Sequence, residues 1–164
     1  MKKRFLTTIT WALVILIPDL VTKALVQKSF TLWESREIIP GFFNLTLVHN
    51  MGAAFGFLNN SQIDWQTPFF VAATLFAMLF ILWLVRQEDE LGHTGITGLG
   101  LILGGAVGNL IDRLSHRYVI DFFDFHLAGW HWPAFNIADC GITIGAGLVL
   151  LNYWTRQRNA PDPD

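Results

Sequence analysis

Four stretches of this chain are long and apolar enough to cross a lipid bilayer, which takes roughly 20 helical residues at a rise of about 1.5 Å each. They run about from Phe5 to Val26, Thr67 to Val85, Thr94 to Ile111 and Ile137 to Trp154. In lipid every backbone polar group must be paired inside the protein, and a helix does this segment by segment. The expected fold is therefore membrane all-α: four transmembrane helices, with a small extracytoplasmic β-sheet and loop over their outer ends, in a single integral domain over residues 1–164. The chain is 52% hydrophobic and only 15% charged, whereas soluble domains average about 25% charged. Lys2, Lys3 and Arg4 ahead of the first stretch would also suit a cleavable leader. Its length, the interruption by Asp19 and Lys23, and the three stretches that follow favour a retained anchor.

Basic residues set the orientation. Lys2, Lys3 and Arg4 precede the first span, Arg86 follows the second, and Arg156 and Arg158 follow the fourth. Both termini and the short loop from Gln87 to His93 are thus expected on the cytoplasmic side. The longer segments, Gln27 to Gln66 and Asp112 to Asn136, then face outward, and Lys28, Arg36, Arg113 and Arg117 dilute this bias without reversing it. Trp11, Trp65, Trp83, Trp130, Trp132 and Trp154 fall near the proposed boundaries, where amphipathic rings settle. The net charge of -2, with basic residues in short clusters, points away from nucleic acid. Cys140 is the only cysteine, which excludes an internal disulfide and a cysteine-based zinc site.

Gly100, Gly104 and Gly108 repeat at four-residue spacing, as do Gly141 and Gly145. Such stripes let helix backbones approach closely and predict a tight four-helix unit. Outside the spans, "GFFNLTLVHN" alternates Phe43, Leu45 and Leu47 with Asn44, Thr46 and Val48, and "AAFGFL" follows as a second apolar run. Together they suggest a small antiparallel sheet on the membrane surface. The tail "APDPD" reads as a disordered end.

The polar residues converge at one depth. Asp19 lies about 21 Å along the first helix, with Lys23 one turn later on the same face. Asn109, Asp112 and Arg113 close the third span, Asp121 is expected in the loop beyond it, and Asn136 and Asp139 open the fourth. Each alone is explained as a helix-end residue: Asp139 on the positive end of span four, and Asp19 with Lys23 and Asp112 with Arg113 as anchoring pairs. Jointly, intramembrane carboxylates accompanied by Asn50, Asn109 and Asn136 favour a shared functional site. Two carboxyls close together in a partly dry site cannot both ionise cheaply, so one keeps a proton near neutral pH. Such a pair can hydrolyse an amide without a cofactor, one group taking a proton from water while the other gives one to the carbonyl oxygen.

"PDLVTK" (18–23), "NMGAAFG" (50–56), "GGAVGNLIDR" (104–113), "VIDFFDF" (119–125) and "FNIAD" (135–139) together resemble the ordered motif set of bacterial lipoprotein signal peptidases, or signal peptidase II. The resemblance runs from the first span to the start of the fourth. It implies a membrane aspartic endopeptidase that cuts diacylglyceryl-modified prolipoproteins on the amino side of the lipidated cysteine. Asp121 and Asp139 would be the catalytic pair. Asp19, Lys23, Asn50, Gly52, Asn109, Asp112, Arg113, Asn136 and Ala138 would bind substrate or support the pair. Leu20 stands where many members carry a polar residue. No metal or other cofactor is implied. Expected partners are prolipoproteins and membrane lipids, with the protein monomeric in the bacterial cytoplasmic (inner) membrane. The outer segment 27–66 is expected to cover the site.

Other assignments are weaker. Asp124, three residues beyond Asp121, is an alternative acid, although a capping or solvent-facing role suits it better. His49, His126 and His131 could join Asp121 around a metal, but their spacing matches no compact ligand motif. Cys140 beside Asp139 reads as a small packed residue rather than a nucleophile, and no GxSxG elbow is present. A small proton-coupled transporter is the alternative function. It would need polar residues through the whole membrane depth, whereas the inner halves of the spans are nearly bare of them.

Overall fold

The computed structural model of the chain describes residues 1–52, 65–87 and 91–158. The apolar run at 53–58 and the tail at 160–164, both addressed by the sequence, lie outside the described residues. Among the described residues, four helices are long and apolar enough to span a membrane: α1 (Lys2–Ser29), α2 (Gln66–Gln87), α3 (His93–His116) and α4 (Ile137–Arg158). Each contains its expected span and extends past it, because the polar flanks continue the helix into the interface.

The centre of the bundle is α3, whose apolar window is 72% buried against 11–22% for the other three. Its glycines explain this position. Gly100 and Gly104 lie against the backbone of Thr8 and Ala12 in α1, while Gly98 and Gly105 lie against the carbonyls of Gly145 and Ala138 in α4. Two smooth faces on one helix thus admit two neighbours at backbone contact. On α1 the buried residues Thr8, Ala12, Asp19, Lys23 and Val26 form one stripe. The other faces expose Leu6, Leu13, Ile17, Val21 and Leu25, as a lipid-facing surface requires.

The strands are β1 (Ser35–Ile39), β2 (Phe43–Asn50), β3 (Val119–Leu127) and β4 (Trp130–His131), in the order β1-β2-β3-β4 with every pairing antiparallel. The expected small antiparallel sheet is present, with strands that the sequence did not single out joining residues 43–50. Residues 43–50 pair with β1 and β3, and Asp121, expected in a loop, lies in β3 opposite Val48. The four buried residues that begin β3 explain the difference. Val119, Ile120 and Phe122 are covered on both faces, so this stretch reads as a continuous apolar run rather than an alternating strand. With Val26 and Leu47, Ile120 and Phe122 form a second core that fixes the sheet to the end of α1. A turn through Arg117, in the left-handed conformation at φ 67°, ends α3 and sends the chain into β3.

Candidate active site

The start of α4 is organised by a reciprocal cap. Asn136 Oδ1 accepts from the Asp139 backbone N–H at 3.0 Å, and Asp139 Oδ2 accepts from the Asn136 N–H at 3.2 Å. This is the capping-box arrangement, with Asn and Asp in place of the usual Ser/Thr and Glu. A third free donor at this helix end, the Ala138 N–H, reaches Asp19 Oδ1 across the bundle at 2.8 Å. The helix-end role expected for Asp139 is real. It leaves Oδ1 to accept from Asn109 Nδ2 at 2.8 Å.

Asp121 meets the same cap from the sheet. Asn136 Nδ2 donates to its Oδ1 at 2.7 Å, and Asn50 Nδ2 donates to its Oδ2 at 3.0 Å. The side chain is only 2% exposed. Burial, reinforced by the nearby Asp139 charge, pushes the Asp121 carboxyl up to about 7, against the opposing pull of the two asparagine hydrogen bonds. Asn136 thus touches both carboxyls, and both line one cavity of ≈ 790 Å³.

Behind this pair lies a buried cation. Lys23 Nζ sits 2.8 Å from Asp19 Oδ2, 2.8 Å from Asp112 Oδ2 and 2.9 Å from Asn109 Oδ1. Three acceptors match the three protons of an ammonium group and compensate the burial of a lysine only 2% exposed. Asp112 therefore pairs with Lys23 from α1, not with its neighbour Arg113 as the sequence suggested. Its Oδ2 also accepts from the Ile120 N–H at 3.2 Å, tying α3 to β3. Arg113 instead donates to the Gly52 carbonyl at 3.2 Å and lies over the Phe70 ring at 5.1 Å. Gly52 in turn donates its N–H to Asn50 Oδ1 at 3.0 Å.

The structure thus gathers Asp19, Lys23, Asn50, Gly52, Asn109, Asp112, Arg113, Asn136, Ala138, Asp121 and Asp139 into one connected network. Asp124 stands apart, accepting from Asn44 Nδ2 at 3.0 Å and paired with His131 at 2.7 Å. His49 stacks on Tyr118, away from Asp121. The cavity walls were missed from sequence: Phe70, Ala73, Thr74 and Ala77 of α2, and Trp132 to Phe135 after β4. The small residues Ala73 and Ala77, one turn apart in an otherwise bulky helix, were the available signal.

A sequence profile described as signal peptidase (SPase) II matches residues 11–155. This chain belongs to the signal peptidase II family. A lipoprotein signal peptidase of Maridesulfovibrio salexigens is 47% identical over 157 residues, covering 96% of this chain and all of that protein. Another, from Ralstonia nicotianae, is 50% identical over 144 residues, covering 85% of this chain and 79% of its own length. A solved bacterial membrane enzyme aligns with a TM-score of 0.83 at 30% identity, covering 96% of this chain and 93% of that one. The signal peptidase II chain is accordingly a multi-pass membrane peptidase.

Proposed function

We propose that this chain removes signal peptides from diacylglyceryl-modified prolipoproteins by cutting on the amino side of the lipid-bearing cysteine, with Asp121 and Asp139 as the catalytic pair. The observation that carries this reading is the sharing of Asn136 by two carboxyls in one cavity, one of them held protonated to about pH 7. The raised Asp121 carboxyl supplies the pair with its proton. Its ionised member takes a proton from water, and the hydroxide oxygen bonds to the scissile carbonyl carbon. The protonated member gives its proton to the carbonyl oxygen. The tetrahedral intermediate then collapses as one carboxyl gives a proton to the nitrogen and the other takes the proton of one hydroxyl, so that the C–N bond breaks, the cysteine amine leaves and the signal peptide ends in a carboxyl group.

The supporting residues divide by contact. Asn136, Asn109 and Asn50 orient the pair, Lys23 with Asp19 and Asp112 holds Asn109 and the start of α4, and Gly52 positions Arg113 for substrate backbone. The apolar cavity wall from α2 and α4 suits an extended apolar peptide and neighbouring acyl chains. The proposed setting is a single monomeric domain in the bacterial cytoplasmic membrane, and the distribution of basic residues supports termini inside and the site at the outer face. The reaction as written draws on no metal or other cofactor.

Cleavage of a purified diacylglyceryl prolipoprotein by the unmutated protein and by Asp121→Asn, Asp139→Asn and Asp124→Asn tests this, with folding checked in each. Loss in the first two and retention in the third is the expected pattern. Retained cleavage in either of the first two transfers the chemistry to another residue.

A further inference from the structure

The hairpin β3–β4 carries a second cluster outside the peptidase network. Alternate residues of a strand share a face, so Asp124 and His126 project together from β3. His131 on β4 is the direct cross-strand partner of His126. The two-residue turn between these strands has Ala128 at φ 51° and Gly129 at φ 82°, the paired left-handed conformations that close a tight hairpin in fixed register. The fold thus places two imidazoles and a carboxylate on one surface, with one candidate ligand atom from each within 4.8 Å of the others.

We propose that Asp124, His126 and His131 bind a divalent transition-metal ion of borderline softness, with Zn²⁺ the best match. Imidazole and carboxylate are ligand types such an ion accepts. Asn44 holds the second oxygen of Asp124 at 3.0 Å, so the first is already directed at His131 Nδ1, 2.7 Å away. A carboxylate oriented by a neighbouring amide is the outer support metal ligands commonly have. The His126 and His131 rings stack at 4.8 Å between centroids, and His126 Nδ1 is buried with no hydrogen-bond partner among the described residues. His126 is therefore held by stacking, and one of its ring nitrogens has no partner among the described residues.

Tetrahedral zinc at about 2.0 Å from its ligands needs those atoms about 3.3 Å apart, so side-chain rotation must draw the cluster in. His131, with its side chain 54% exposed, has room to do so. Binding replaces the direct contact between His131 and Asp124 and leaves a fourth position to water. The site is peripheral to the catalytic pair and supplies no step of the cleavage. It fastens β4 to β3 just before Trp132 to Phe135, which wall the peptidase cavity. The role is a clamp on the mouth of that cavity.

The test is zinc titration of the untagged, chelator-stripped full-length protein in detergent, followed calorimetrically, with Mg²⁺ as a comparison ion. One Zn²⁺ per chain is expected, with little Mg²⁺ binding. His131→Ala and Asp124→Asn should each weaken zinc binding by more than about ten-fold. His116→Ala, which alters the separate histidines beside Tyr118, should leave it unchanged. Because His131 is exposed, its variant is expected to fold, and an unchanged melting temperature of metal-free His131→Ala confirms that it has. Absence of stoichiometric zinc binding overturns the proposal, as does binding that survives both His131→Ala and Asp124→Asn. Failure of the catalytic assignment would appear only in cleavage and leave this titration unaffected.

Discussion

Asn136 Nδ2 donates to Asp121 Oδ1 at 2.7 Å, joining the cap of α4 to the buried start of β3. The same residue exchanges two hydrogen bonds with Asp139, so its removal strikes both carboxyls and the helix end at once. Hydrogen bonds to charged groups contribute roughly 1.5–3 kcal/mol, and loss of an N-cap costs about 1 kcal/mol. Asn136→Ala should therefore lower kcat by about 10–100-fold and reduce thermal stability modestly. A variant that melts lower but cleaves at the full rate would reduce Asn136 to a cap alone.

The Asp121 carboxyl, raised from 3.8 to about 7, fixes the sign of two pH effects. Its protonated form is the one the fold favours. The stability it contributes is complete below the unfolded value and is lost as pH rises through about 7. Activity that needs the Asp121 proton should fall over the same upper limb. The Asn50 hydrogen bond lowers this value, so Asn50→Ala should move the limb to higher pH, whereas Asp139→Asn should move Asp121 titration downward by removing a like charge. Following the limb by kcat/KM against pH, and Asp121 itself by isotope-edited NMR, checks both. An Asn50→Ala profile displaced to lower pH would contradict the assignment.

Lys23 is the residue on which the inner half of the network depends. Removing one partner of a buried ionic cluster costs about 3–5 kcal/mol, because the remaining charges lose their compensation. Lys23→Met leaves Asp19 and Asp112 facing each other without a cation and should strongly lower the melting temperature. Adding Asp19→Asn and Asp112→Asn removes the uncompensated charge, so the triple variant should regain much of the loss. Detergent melts of the single and triple variants decide this. No recovery in the triple variant would place the loss in packing rather than charge.

The helices were legible because hydropathy is a property of each segment alone, and the motif resemblance picked out the candidate pair. The pairings were not legible. Adjacent residues on a helix do not face each other, so Asp112 and Arg113 could not form the pair that proximity suggested. The actual partner of Asp112 comes from α1. Strand β3 was hidden because its buried start shows no alternation, and β1 because all five of its residues are exposed. The meeting of Asp124, His126 and His131 depended on a turn at 128–129 that Ala-Gly does not advertise as Asn-Gly would.

Gly105 and Gly147 separate packing from helix propensity. A Cβ at Gly105 would run into the Ala138 carbonyl of α4, whereas one at Gly147 would meet nothing within 4 Å. Backbone cannot rotate aside as a side chain can, so Gly105→Ala must push α4 away from α3, at a cost of about 1–3 kcal/mol. The displaced residue is Ala138, whose N–H holds Asp19 and whose neighbour is Asp139. Gly105→Ala should accordingly reduce cleavage as well as stability, without touching a polar group. Gly147→Ala gains helix propensity worth up to about 1 kcal/mol and should leave activity unchanged. Melting curves and cleavage rates of the two variants side by side test the point. Equal behaviour would mean that close approach of α3 to α4 does not set the position of Asp139.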